Sequence, residues 1–130
     1  MSTIYRQLDA NTDQKSVTAD TTLTTSDSGK TILLDAVGED ILLPAPAAGL
    51  SYKFLVTAAV ITTSWTVTAT GAIIYGSVTE AGLVQLASAE TTITIVFTKA
   101  IQGDWFTLES DGTNWYVAGQ LSVAASFTTA

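Results

Sequence analysis

The sequence predicts an all-β protein, a single antiparallel β-sandwich of jelly-roll-like form with an extended N-terminal arm. Three observations carry that expectation. Threonine recurs along the whole chain, and its β-branched carbon favours strands while its hydroxyl tolerates water. Short runs of alternating apolar and polar residues are separated by turn residues at intervals of roughly ten, the rhythm of a sandwich or barrel. Charged residues make up only 13% against 47% hydrophobic, so neutral polar side chains must cover much of the surface.

At 130 residues the chain has the length of one domain with one core. The first twenty residues are polar and aperiodic, with Asn11-Thr12-Asp13-Gln14-Lys15 at their centre, and read as an arm that cannot bury enough to fold alone and is either disordered or ordered by a partner. The division is therefore residues 1–20 as arm and 21–130 as sandwich.

The runs expected to be strands are Thr21 to Thr25, Lys30 to Leu34, Ile41 to Leu43, Tyr52 to Thr57, Trp65 to Ala69, Ile73 to Val78, Thr92 to Thr98, Trp105 to Ser110 and Trp115 to Gly119. Period-two alternation is clearest where Ile93, Ile95 and Phe97 oppose Thr92, Thr94 and Thr98, with Val96 as the exception. Trp65, Val67 and Ala69 oppose Thr66, Thr68 and Thr70 in the same way. Breakers lie between runs: Ser26 to Gly29, Val37 to Asp40, Pro44-Ala45-Pro46, Gly71, Gly76, Gly103 and Asp111 to Asn114. The prolines remove backbone donors and close the strand that ends at Leu43. The stretch from Glu80 to Glu90 reads as a strand or irregular loop, with a short helix as the alternative. The sharpest local signal is the hairpin joining Trp105–Ser110 to Trp115–Ala118 across Asp111-Gly112-Thr113-Asn114.

Composition excludes several chemistries. The sequence contains no cysteine and no histidine, which removes disulfides, thiolate and imidazole metal ligands, and Ser-His-Asp or Cys-His nucleophilic devices. A net charge of −7 with scattered bases (Arg6, Lys15, Lys30, Lys53 and Lys99) argues against phosphate neutralisation, so neither nucleic acid nor an anionic membrane is an expected partner. Met1 to Gln7 lacks the apolar run of a secretory signal, which points to synthesis and use without that route. Phe54 to Thr79 is uncharged, but threonines, Ser64 and Gly71 interrupt it, and a membrane span is not expected.

Several motifs invite a chemical reading. Asp104 with Glu109 or Asp111 is the conceivable carboxylate pair of a glycosidase, against the simpler reading of solvated turn and strand charges. Gly29-Lys30-Thr31 resembles the end of a phosphate-binding loop, but Thr24 stands where the motif needs its first glycine, so a plain turn is the better account. Asp111 and Asn114 offer oxygen ligands to calcium, yet they are too few, and capping of their own turn explains them. Trp105, Trp115 and Tyr116 suit either stacking on a sugar ring or the filling of a core or subunit interface; Phe106 and Leu108 already occupy one face of the hairpin. No catalytic, cofactor-binding or metal-ligating residue is assigned, and the expectation is a non-enzymatic module.

The hairpin carries a family resemblance. Gly103-Asp104-Trp105-Phe106-Thr107-Leu108-Glu109-Ser110-Asp111-Gly112-Thr113-Asn114-Trp115-Tyr116-Val117 resembles the closing hairpin of tailed-phage virion proteins, among them head decoration (cement) proteins and fibre modules. Lys30 to Leu34, Ile41 to Leu50 and Tyr52-Lys53-Phe54 are similar to the front half of the same modules, so the likeness spans most of residues 20 to 120. It implies a β-sandwich subunit, often a homotrimer, that is made in the host cytoplasm and sits on the outer capsid surface. There it would clamp the major capsid protein lattice. It implies no cofactor and no catalytic residue, and the fibre modules keep open a host-surface or carbohydrate-binding role.

Overall fold

The computed structural model describes residues 13–58 and 61–130. Among them the chain forms β1 (Gln14–Ser16), β2 (Thr21–Thr22), β3 (Thr31–Leu34), β4 (Asp40–Leu42), β5 (Ser51–Val56), β6 (Trp65–Thr68), β7 (Ile74–Glu80), β8 (Leu83–Glu90), β9 (Thr92–Ile95), β10 (Trp105–Ser110), β11 (Trp115–Leu121) and β12 (Phe127–Thr129), with a 3-10 turn at Thr25–Asp27. A seven-stranded sheet in the order β1-β3-β5-β10-β11-β7-β8 packs on a five-stranded sheet in the order β12-β9-β6-β4-β2. The all-β sandwich is the architecture that the alternating runs predict.

Strand direction corrects the expectation of an antiparallel sandwich, because both sheets are mixed. Hairpins β10–β11 and β7–β8 are antiparallel, as are the β6–β9 and β9–β12 pairs. The first half instead pairs in parallel, β1 on β3 and β3 on β5 in the larger sheet, β2 on β4 and β4 on β6 in the smaller. The chain changes layer after each of these strands. A strand that returns to its layer after visiting the other runs parallel to the one it left, so the opposite layer serves as the crossover that parallel pairing needs. Segments such as Pro44 to Gly49 carry the chain across instead of reversing it in place.

Residues 13–20 lie against the body, although the sequence reading assigned them to the arm: β1 pairs with β3, and Val17 is buried. Residues 1–12, the rest of that arm, lie outside the described residues. The predicted strand from Thr21 bends into the 3-10 turn after two residues because Asp27 reaches back to accept the Thr24 N–H at 3.0 Å. The predicted run to Thr98 ends at Ile95, and Phe97, expected on the same face as Ile93 and Ile95, is exposed while they are buried. The uncharged stretch from Phe54 carries β5 and β6, and no helix among the described residues is long and apolar enough to cross a membrane.

The core sits between the layers. Ile32, Leu34, Tyr52, Phe54, Phe106, Leu108 and Trp115 point inward from the larger sheet, and Ile41, Trp65, Val67, Ile93, Ile95 and Phe127 meet them from the smaller. Phe54 and Phe106 face each other across β5 and β10 with ring centroids 4.7 Å apart. Phe127 meets Phe106 edge-on at 6.2 Å from the other layer, a favourable arrangement for ring quadrupoles. β11 approaches β10 so closely that a Cβ on Gly119 would lie 2.5 Å from the Trp105 carbonyl oxygen, which only glycine avoids.

Candidate functional site

The carboxylates that suggested acid–base chemistry are not brought together. Asp104 is buried immediately before β10, while Glu109 is exposed on the opposite face of that strand. Five strand residues separate them by about 17 Å. Asp104 works as a clamp: Oδ2 accepts the Ile101 N–H at 3.0 Å, and Oδ1 accepts the Ser122 N–H at 3.1 Å and the Ser122 hydroxyl at 2.9 Å. Its own carbonyl accepts the Val56 N–H at 2.8 Å, so one residue ties together the ends of β5, β10 and β11. Glu80, also buried, makes a similar tie between layers, accepting the Ala125 and Phe127 N–H groups at 2.9 and 2.7 Å.

Asp111 occupies the β10–β11 turn and accepts the Thr113 and Asn114 N–H groups, both at 2.9 Å, and the Tyr116 hydroxyl at 2.9 Å. The Asn114 and Thr113 N–H groups and that hydroxyl hold its carboxyl below the usual aspartate range. This is the self-capped turn read from the sequence, and Asn114 turns away to accept the Ile73 N–H at 3.3 Å. Among the described residues no three His, Cys, Asp or Glu side chains gather as metal ligands. In Gly29-Lys30-Thr31, Gly29 closes a turn at φ 88° and Thr31 already begins β3, not a helix. Lys30 and Lys15 lie 3.3 and 3.7 Å from the buried Asp27 carboxylate. Burial opposes ionisation of Asp27, yet the Thr24 N–H and the two lysines prevail and lower its pKa.

The tryptophans divide between the two faces of the hairpin. Trp115 lies opposite Ser110 on the inner face and is wholly buried, 5.9 Å from the Tyr52 ring. Its Nε1 finds no acceptor among the described residues. Trp65, equally buried, donates to the Asp35 carbonyl at 3.0 Å. Trp105 is half-buried on the outer face with Lys53 Nζ 5.4 Å above its ring, a cation–π contact. Trp105 and Trp115 therefore cannot form one platform. The outer face instead pairs Tyr116 with Tyr75 on neighbouring β11 and β7, rings 6.3 Å apart and both about two-fifths exposed. Sequence reading missed Tyr75 because its partner is brought alongside by parallel pairing.

A second surface lies around Asp20, Glu39 and Asp40, where grooves of about 350 and 310 Å³ open beside Val37 and Leu42. Partial desolvation, a hydrogen bond and repulsion from Asp20, and the charge of Asp40 raise the Glu39 pKa. The Asp20 carboxylate accepts the Asp40 N–H at 2.9 Å, so the cluster also fastens the loop before β2 to β4.

The largest departure from an ordinary surface is β8. Two-residue turn Ala81-Gly82, with φ 51° and 83°, has the left-handed pair of a type I′ hairpin and sends β8 back along β7. Register places Val84 and Leu86 on the outer face and Leu83 on the inner one, and these are 66%, 66% and 72% exposed. An apolar strand exposed on both faces has the side-chain pattern of a sheet interior. β8 nevertheless ends the sheet.

No protein-family model matches the chain, and no curated protein is similar to it.

Proposed function

We propose that this chain is a non-enzymatic structural module of a tailed-phage virion that decorates the outer capsid surface and stabilises it by binding the major capsid protein lattice. The observation that carries this reading is the β8 edge, where Leu83, Val84 and Leu86 stand exposed on both faces of a well-formed strand. Such an edge is a liability in a free monomer and an asset in an assembly. The hairpin and front-half motifs that resemble virion proteins lie on β3–β5 and β10–β11. The low share of charge suits a surface meant to be covered, and many symmetric attachments add modest contacts into avidity.

The test is to mix the purified chain with expanded shells lacking it and to image the product. Ordered density at symmetry-related positions is the expected result; unbound protein at saturating concentration would refute the proposal. A chain lacking residues 1–12 keeps β1 and Val17, and should fold but attach more weakly if the segment binds the shell.

The Tyr75–Tyr116 pair supports a second reading, a host-surface or carbohydrate-binding module. Indole emission titrated with cell-surface glycans addresses it. Trp105 is the half-buried indole on that face, so a response lost in Trp105→Phe would favour glycan binding.

A further inference from the structure

From the β8 edge we infer that two copies of this chain pair through it, antiparallel about a two-fold axis, to make one continuous sheet of fourteen strands from the two seven-stranded sheets. The inference deepens the assembly reading and rests on it only in taking β8 for an assembly edge. Pairing in solution and attachment to a shell succeed or fail separately.

Edge lengths provide the first argument. Of the four sheet edges among the described residues, β1, β2 and β12 are three, two and three residues long, and β1 carries Lys15. Short strands and a lysine are the usual means of blocking unwanted pairing. β8 runs for eight residues. Its one irregularity, a bulge where Ala89 takes φ 62°, lies near the far end and leaves Leu83 to Ser88 regular.

Charge selects the partner. Copies of a chain with net charge −7 repel each other, and the repulsion is smallest where neither presents a carboxylate. From Ile74 to Glu90 the charged residues are Glu80, which is buried and accepts two backbone N–H groups, and Glu90 at the end of the strand. A basic partner would instead be drawn to the Asp20, Glu39 and Asp40 surface. A neutral edge on an acidic chain fits a second copy of itself.

The side chains select a register. In a two-fold antiparallel pair, facing residues lie on the same side of the sheet, so the centre falls on a residue and not between two. Centring on Gln85 sets Val84 against Leu86 of the other copy on the outer face, twice by symmetry, and Leu83 against Ala87 on the inner face. Centring on Val84 sets Leu86 against Gly82, and centring on Leu86 sets Val84 against Ser88; each loses apolar pairs. The Gln85 register also brings two side-chain amides together at the axis, able to donate and accept reciprocally. One strand offers less than the ~800 Å² per partner of a standard interface, so association should be reversible and concentration-dependent. A two-fold pair gives even copy numbers, unlike the three-fold arrangement that the family resemblance implies.

Sedimentation of the full chain from about 1 µM to about 1 mM, a span of affinities typical of weak association, tests this directly. A shift to twice the monomer mass is expected, and Val84→Lys with Leu86→Lys should raise the dissociation constant at least tenfold. Both side chains are mostly exposed in the single chain, so an unchanged circular dichroism spectrum and melting temperature would certify the fold. The chain has no cysteine, so Gln85→Cys introduces one thiol, expected to give a disulfide-linked dimer on mild oxidation; Thr22→Cys, on the short β2 edge, should not. A monomer at the highest concentration, a trimer indifferent to the lysines, or equal cross-linking at positions 22 and 85 would each overturn the pairing. A dimer that ignores shells supports the pairing and removes the decoration reading, while shell binding by a strict monomer does the reverse.

Discussion

Asp104→Asn separates a structural carboxylate from a chemical one. The residue is 2% exposed, and its carboxylate accepts three hydrogen bonds, two from Ser122 on Oδ1 and one from the Ile101 N–H on Oδ2. An amide satisfies Ser122 with its oxygen but then turns an NH2 group toward the Ile101 N–H, donor against donor. One bond to a charged acceptor is lost and a part-buried donor is stranded, together about 2–3 kcal/mol. Unfolding entropy of ~2.1 cal/mol/K per residue makes each kcal/mol worth about 4 °C in a chain of 130 residues, so the melting temperature should fall by roughly 8–12 °C. Asp104→Ala strands all three donors and should cost more. Ser122→Ala removes only the hydroxyl bond, about 1 kcal/mol or ~4 °C. Thermal unfolding followed by circular dichroism ranks the three variants. If Asp104→Asn melts within about 2 °C of the parent, less than one ordinary hydrogen bond, or if Ser122→Ala costs more, Asp104 is not the clamp described.

The two buried tryptophans should respond differently to the same change. Trp65→Phe loses volume and the bond to the Asp35 carbonyl, whereas Trp115→Phe loses volume and removes an indole N–H without an acceptor among the described residues, so Trp65→Phe should be worse by about 1–2 kcal/mol in urea unfolding; equal losses would contradict the assignment. Stability should also fall at both pH extremes for identifiable reasons. Asp27 has a lowered pKa in the fold, so its contribution is present above the ordinary value of 3.8 and is lost as pH falls through the folded value; Asp27→Asn should flatten that acid limb. Burial, and then the Asp27 charge, push the Tyr52 pKa up to about 12. Its neutral hydroxyl donates to the Thr24 carbonyl at 2.7 Å, so that contribution is full below pH 10 and lost as pH climbs toward 12. Tyr52→Phe should remove the alkaline limb, and a limb unchanged in this variant would assign it elsewhere.

Much of the fold was legible because alternation is a local property. Trp65 and Val67 are buried as their spacing from Thr66 and Thr68 predicts, and β10 begins and ends where the breakers place it. Pairing direction was not legible, since parallel and antiparallel strands share the same period of two and differ only in where the chain goes between them. β1 and β12 are three residues each, too short to show a pattern, and exist because a neighbour offers them a ladder. The candidate surfaces divided in the same way. Self-capping by Asp111 was readable from one turn, whereas the Tyr75–Tyr116 pair depends on register between strands far apart in sequence.

The hairpin of β7 and β8 shows why composition alone misleads at an edge. Leu83-Val84-Gln85-Leu86-Ala87 has the nearly continuous apolar character of a strand covered on both faces, and its turn uses Ala81-Gly82 where Asn-Gly would have announced a reversal. This stretch, readable from the sequence as no more than a strand or irregular loop, thus has the composition of a central strand, and the topology puts it last in its sheet. Elsewhere at the rims the chain follows the opposite rule, with minimal strands and a lysine. The conflict between local pattern and position is confined to one strand. It disappears if a further strand completes the sheet, and the absence of charge along Leu83 to Ala89 makes this edge the place where another copy of this acidic chain meets the least repulsion.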